Sequence, residues 1–247
     1  MYTIFLRELC AVMKQLLIII LLWPLSIHAA KTYVFSGGAN NVPHSVAAKV
    51  LQKAYQQAGL KIKPKFMELQ SALELSNSGA TDGEISRIAG ITKFTPNLLQ
   101  IPVSTYSVQA VAFSKDKSLK INTWQDLQGY DITLVKGAKF IETATQNFER
   151  ELVDSFTEAF ERLQRNETYI VVVPKLTGLA VIYKNNYHEI KAVSESLQTL
   201  KLYHYVHKKN KHLISIIEPI LKGMEQSGEI GYIRKSYIMQ LIKMEER

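Results

Sequence analysis

The sequence predicts an α/β fold, a mostly parallel sheet with helices on its faces. Short apolar runs of strand length alternate with amphipathic stretches of helix length from residue 32 onward, and glycine or proline marks the joints. Composition agrees: the 247 residues are 47% hydrophobic and 21% charged, which suits a globular chain with one large core or two smaller ones. No repeat period or low-complexity tract interrupts the pattern.

TYVFS at 32–36 is strand-like in its aromatic and β-branched content, and Gly37-Gly38 turns the chain after it. Pro43 leads into a helix with Val46, Val50, Leu51, Ala54 and Ala58 on one stripe, stopped by Gly59. A second strand spans 62–66 and a short helix 69–75, which Asn77-Ser78-Gly79 ends. DGEISRIAG at 82–90 supplies a third strand. Such a β-α-β-α-β series belongs to parallel strands joined by crossover helices.

A second α/β unit occupies 108–199. Tyr106 to Phe113 is a long alternating run. Thr123 and Asp126 stand in capping-box positions of a short helix that Gly129 ends. Ile132 to Val135 is a strand, Gly137 opens a helix, and Ser155-x-x-Glu158 starts another with Phe156, Phe160 and Leu163 on one face. TYIVVV at 168–173 has the unbroken apolar character of a strand buried on both faces. LYHYV at 202–206 returns to strand. Two helices follow, one striped with Leu213, Ile216, Ile217, Ile220, Leu221 and Met224, in which Pro219 makes a kink or marks a register adjustment, the other carrying Ile230, Ile233, Tyr237 and Ile238.

The segment MKQLLIIILLWPLSIHAA has the parts of a secretory signal: Lys14, an apolar run from Leu16 to Trp23, a break at Pro24 and small residues at Ala29 and Ala30. The run is too short to span a bilayer. Residues 1–30 are therefore assigned as a signal peptide cleaved after Ala29 or Ala30, with a periplasmic destination. Met13 is a tidier start for it than Met1, and an uncleaved anchor is the alternative. Cys10 is the chain's one cysteine, so the exported part has no disulfide, thiolate metal site or cysteine nucleophile. The net charge of +8 comes from scattered lysines, with HKKNKH at 207–212 the nearest thing to a block, and nucleic acid is not expected as a partner.

Catalytic and metal constellations are sparse. His204 and His207 fall on opposite faces of a strand with no carboxylate spaced to join them, so no metal ligand set and no cofactor is assigned. The unusual stretch is DGEISRIAG, which puts two carboxylates and an arginine into a short buried strand. Alternation sends Ile85 and Arg87 to one face and Glu84, Ser86 and Ile88 to the other. Arg87 either pairs with Glu84 or Asp82, or grips the carboxylate or phosphate of a ligand, since open α/β sheets bind ligands at this end of their strands.

The order and spacing of the pieces carry a resemblance over nearly all of the exported chain. The most specific are DLQGYDITLVKGA and the terminal HKKNKHL followed by a helix and a glycine. The chain resembles the bacterial extracellular solute-binding proteins of family three, the polar amino-acid class. That resemblance implies the type II periplasmic-binding-protein fold: two lobes, each a mostly parallel sheet flanked by helices, joined by two crossover strands with a ligand cleft between. Lobe 1 is expected over 31–107 and 200–247, and lobe 2 over 108–199. In such a fold Ser36 and Gly37 end the first strand at the cleft, as ligand contacts or a plain turn; Tyr106 in a crossover stacks on a ligand or lines the hinge; and the turn Lys136-Gly137-Ala138 is the one the family uses for the ligand's acid group. Two departures stand out. Thr92-Lys93-Phe94-Thr95 has no arginine where family members carry Thr-x-x-Arg, and Thr168 takes the place of the aspartate that holds the ligand's amino group. The amino-acid clamp is not intact.

The function this implies is capture of a small polar, anionic, amino-acid-like solute by a monomeric periplasmic protein, without turnover. An inner-membrane ABC transporter permease or a sensor kinase would receive it. Two alternatives stay open. One is a dehydratase-like enzyme on the same scaffold with Glu84 or Glu142 as general acid or base; the other is an interaction module whose cleft is filled by bulky side chains.

Overall fold

The structure, a computed structural model, describes residues 31–245, with side chains to residue 240. The assigned signal peptide, its cleavage positions, Cys10 and Met13 lie outside the described residues. Among the described residues, no helix is long and apolar enough to cross a membrane.

The first half realises the expected series: β1 (Thr32–Gly38), α1 (Val42–Gln57), β2 (Lys61–Met67), α2 (Leu69–Ser78) and β3 (Gly83–Ile88). β1 runs on through both glycines instead of turning at them, and pairs in parallel with β2 and β3. Asn41 caps α1 by accepting from the His44 amide, with Pro43 in the first turn. β4 (Leu98–Ser114) is longer than the alternating run, because it starts ahead of Pro102. That proline falls where the pairing with β9 (Gln198–His207) slips in register, so its missing N–H removes no ladder bond.

The second half holds β5 (Ile132–Val135), α3 (Lys139–Ala144), β6 (Arg150–Val153), α4 (Phe156–Gln164), β7 (Ile170–Pro174) and α5 (Lys175–Lys184). The Thr123–Asp126 capping box forms, and Ser155 Oγ accepts from the Glu158 amide at 3.1 Å. β8 (Lys191–Ala192) pairs with β4. α6 (His212–Gln226) carries Pro219 in its interior, and α7 (Glu229–Glu245) follows.

The strands make one hydrogen-bonded sheet in the order β2-β1-β3-β9-β4-β7-β5-β6, with β8 off that path. Each outer triplet, β2-β1-β3 and β7-β5-β6, is parallel, while the inner pair β9–β4 is antiparallel. This is the two-lobed periplasmic-binding-protein architecture: β4 and β9 belong to both halves and carry the sheet across. Each half has its own core. Phe35, Leu51, Tyr55, Leu213 and Ile217 centre the first. Phe113, Leu127, Phe160 and Val172 centre the second, where the Phe113 and Phe160 rings meet edge to face at 5.4 Å. Each such side chain contributes about 1.5–3 kcal/mol on burial.

One local feature positions the site. Between Glu84 and Arg87, β3 carries one residue more than the facing stretch of β9. This bulge breaks the alternation that the sequence predicts, so Arg87 shares a side with Glu84 instead of opposing it. Gly83 admits the bend: its φ is +155°, and a Cβ there would lie 2.2 Å from the Tyr205 carbonyl oxygen.

Candidate functional site

The C-terminal ends of β1, β3, β5 and β7 converge on a cavity of about 40 Å³ between the two halves. Asn41 and His44 reach it from the start of α1, and Ser86, Arg87 and Ile88 from the end of β3. The turn after β5 brings Gly137, Ala138, Lys139 and Phe140, and β7 ends on it with Pro174. This is the edge at which open α/β sheets bind ligands.

Arg87 is the centre of the arrangement. Its Nε donates to Glu84 Oε1 at 3.0 Å, Nη1 to the Gly137 carbonyl at 2.8 Å, and Nη2 to the Leu69 carbonyl at 2.6 Å. One side chain thereby ties α2 in the first half to the β5–α3 turn in the second. Glu84 is fully buried and also accepts from Ser76 Oγ and Ser36 Oγ, at 3.1 and 3.3 Å. Burial pushes its carboxyl above the ordinary range, against the opposing pull of Arg87 and the two serines. Gly137 brings the backbones together: a Cβ at this φ of +87° would lie 2.6 Å from the Gln70 amide nitrogen.

The turn holds a carboxylate of its own. The Gly137 amide donates to Glu142 Oε1 at 2.5 Å, and Lys139 Nζ lies 2.7 Å from Glu142 Oε2. His44 Nδ1 accepts from the Gly38 amide at 2.9 Å, which leaves the proton of the neutral ring on Nε2. Burial, and then the charge of Arg87, hold His44 well below the usual histidine range. Ser86 lines the cavity fully buried, and its Oγ has no hydrogen-bond partner among the described residues.

Of the residues expected at a site, Arg87, Gly137 and Ala138 meet at this cavity. The Ser36 hydroxyl turns inward instead, 2.8 Å from the Ala72 carbonyl oxygen. Gly37 packs on Ile85 and His44. Tyr106 lies beneath Arg234, 5.7 Å from the ring centroid to the guanidinium, and lines a separate hollow with Pro43 and Thr199. Lys136 is partly exposed and pairs with Asp154 at 2.8 Å. Thr168 does not stand in a clamp position. It precedes β7 and its Oγ1 donates to the Asp131 carbonyl, so it sits at the opposite end of the strand from the cavity, where Pro174 is found instead. Sequence reasoning passed over His44, Ser86 and Lys139. Ser86 and Lys139 adjoin residues it did single out, and His44 follows the proline that starts α1.

No family model matches the chain. A relative in Shewanella oneidensis, described as an uncharacterized protein, is 25% identical over 190 residues, 74% of this chain and 72% of the other. Solved structures share the fold. A histidine kinase sensor domain with similarity to periplasmic binding proteins is similar at a TM-score of 0.74 and 16% identity, over 84% of this chain and 96% of that one. An ancestral arginine-binding protein bound to arginine is similar at 0.69 and 19%, covering 85% and 99%. The amino acid ABC transporter substrate-binding protein AbpA from Streptococcus pneumoniae, bound to L-arginine, is similar at 0.69 and 14%, covering 85% and 96%.

Proposed function

We propose that this chain is an exported solute-binding protein that captures a small anionic solute between its lobes without turning it over. Lobe 1 comprises 31–107 and 200–247, and lobe 2 comprises 108–199. The protein acts as a periplasmic monomer and hands its bound state to an ABC-type permease or a sensor kinase. The observation that carries this is the placement of Arg87, a guanidinium at the ligand-binding edge of the sheet, bonded to one carbonyl from each side of the cleft. Fold neighbours that bind arginine or serve as a kinase sensor support the same reading. Glu84 and Glu142, the carboxylates a dehydratase-like reading would use, do not line the cavity.

A second reading, a signalling module closed without solute, is favoured by one observation. Val46, Tyr106, Val108 and Leu202 form an apolar cluster with Ile88, Phe140 and Leu176 from both sides of the cleft. Thermal unfolding of residues 32–247 with a panel of amino acids, dicarboxylates and sugar acids separates the two. A solute at about 100 times its dissociation constant adds about 2.7 kcal/mol of stability. Stabilisation by an anion in the wild type but not in Arg87→Lys supports solute capture, and an unresponsive panel supports the closed module.

A further inference from the structure

We infer that the cleft takes a short carboxylate with no ammonium group, a two- or three-carbon acid, and rejects the α-amino acids. This deepens the solute-binding reading and rests on it. The first argument is charge. The cavity wall carries Arg87 and Lys139, each paired with a glutamate outside the lining, and no carboxylate is among the lining residues. Glu84 lies behind Arg87, and Glu142 is taken up by the Gly137 amide and Lys139. At the end of β7, which reaches the cavity from the second half, stands Pro174, whose side chain neither donates nor accepts. An ammonium enclosed here has no anionic partner, and an unpaired buried charge is strongly disfavoured.

The second argument is the set of donors. The guanidinium has five N–H groups, and its three bonds leave one N–H on each terminal nitrogen. Ser86 Oγ, buried and without a partner, is a hydroxyl whose hydrogen-bonding capacity is unused. Buried polar groups are nearly always satisfied, so an orphan on a cavity wall marks the place of a missing partner. A carboxylate that accepts from the free N–H of Arg87 Nη1 and from Ser86 Oγ satisfies both and leaves the Gly137 bond in place.

The third argument is size. A water needs roughly 10–15 Å³ of such space, so about 40 Å³ holds on the order of three. Leu69, Ile88, Ile91, Val108, Phe140 and Leu202 make the remaining wall apolar. Two or three carbons suit this space, and its apolar wall offers a long polar side chain no partner.

The test is calorimetric titration of residues 32–247 with propionate, L-lactate and L-alanine, which share a skeleton and differ at the α-carbon in hydrogen, hydroxyl and ammonium. L-arginine and L-glutamate complete the set. The expected result is binding of propionate or lactate, with alanine weaker by about a hundredfold or more. Ser86→Ala, which removes an unsatisfied group and leaves the fold intact, weakens the bound acid by about tenfold at unchanged melting temperature. Alanine or arginine binding as tightly as lactate overturns this inference while solute capture stands. Lactate binding that ignores both Ser86→Ala and Arg87→Lys also overturns it, because the acid then sits elsewhere. No binding by any of the five compounds overturns this inference, and the wider panel then decides the solute-binding reading.

Discussion

Arg87 Nε donates to Glu84 Oε1 at 3.0 Å, although the two residues are three apart on one strand, a spacing that a regular strand sends to opposite faces. The extra residue in β3 makes the contact, and with it the forked reach of the guanidinium to Leu69 and Gly137. Strand, bulge and arginine form one device: the bulge turns the side chain, Glu84 orients it, and the two carbonyls receive it.

Removal of Arg87 tests that device. Arg87→Met leaves Glu84 buried without its cation, and breaking a buried pair from one side costs about 3–5 kcal/mol. The loss depends on pH. The Glu84 carboxyl already lies above its ordinary value, so the folded state binds the proton more tightly than the unfolded chain. Stability from this group therefore declines as pH rises from the ordinary carboxylate value through the raised one. Without Arg87 the rise is larger and the window wider. Urea unfolding should show Arg87→Met less harmful at pH 5 than at pH 8, and Glu84→Gln in the same background should restore much of the loss.

His204 sets the opposite slope. Its Nδ1 donates to the Glu84 carbonyl at 2.8 Å and Nε2 accepts from Tyr55 OH at 2.9 Å, in a core with Phe35 at 4.6 Å between ring centroids. Burial lowers its pKa to about 4. The unfolded chain takes up the proton first on acidification, so this contribution is complete above about pH 6.5 and lost as pH falls toward 4. At about 1.4 kcal/mol per unit, the loss is about 3 kcal/mol. His204→Gln keeps one donor and one acceptor but cannot titrate. The stability difference between wild type and variant should shift by that amount between pH 7 and pH 4; an unchanged difference would show that His204 is not a buried neutral ring.

Much of the fold was legible because local rules and tertiary packing agree. Ser155 and Thr123 cap the helices that their spacing predicts, and the apolar run at 168–173 is the buried β7 with its first residues outside it. What escaped was set by partners far along the chain. β6, with Arg150 and Glu151 in four residues, has no apolar alternation and exists because β5 pairs with it. α5 has no side-chain cap, so nothing local announces it. Within the site, Arg87 was visible as an anomaly in its strand. Its reach to Gly137, fifty positions away, depends on a bulge that pairing with β9 imposes and that no local pattern records. Thr168 was misplaced for a related reason: motif spacing located the strand but not which end of it faces the cleft.

The close approach at Gly137 separates closure from folding. Gly137→Ala places a methyl against the Leu69–Gln70 backbone and puts alanine at φ +87°, a strain of about 1–3 kcal/mol. The clash is between backbone of the β5–α3 turn and backbone of α2, one from each lobe, so parting the lobes relieves it. Small-angle scattering should report a larger radius of gyration than the wild type, with secondary structure unchanged by circular dichroism. An unchanged radius would mean that the turn yields locally and does not set the distance between the lobes.

Arg234 offers the matching test at the crossover. Its Nε donates to the Thr105 carbonyl at 2.7 Å and its Nη2 to the Ser104 carbonyl at 3.0 Å, and it stands over the Tyr106 ring. These carbonyls sit where β4 slips in register against β9, on the strand that runs through both halves. Backbone groups displaced from the ladder need other partners, and α7 supplies one guanidinium for two of them. Hydrogen bonds from a charged donor contribute about 1.5–3 kcal/mol, and the contact with Tyr106 adds to that. Arg234→Gln should therefore lose about 2 kcal/mol and speed amide exchange across 103–107 before other parts of the sheet. Lysine at the same position keeps the charge but not the planar fork, and should recover less than half of the loss. Full recovery by lysine would mean that charge over the aromatic ring, and not the paired carbonyls, holds the crossover.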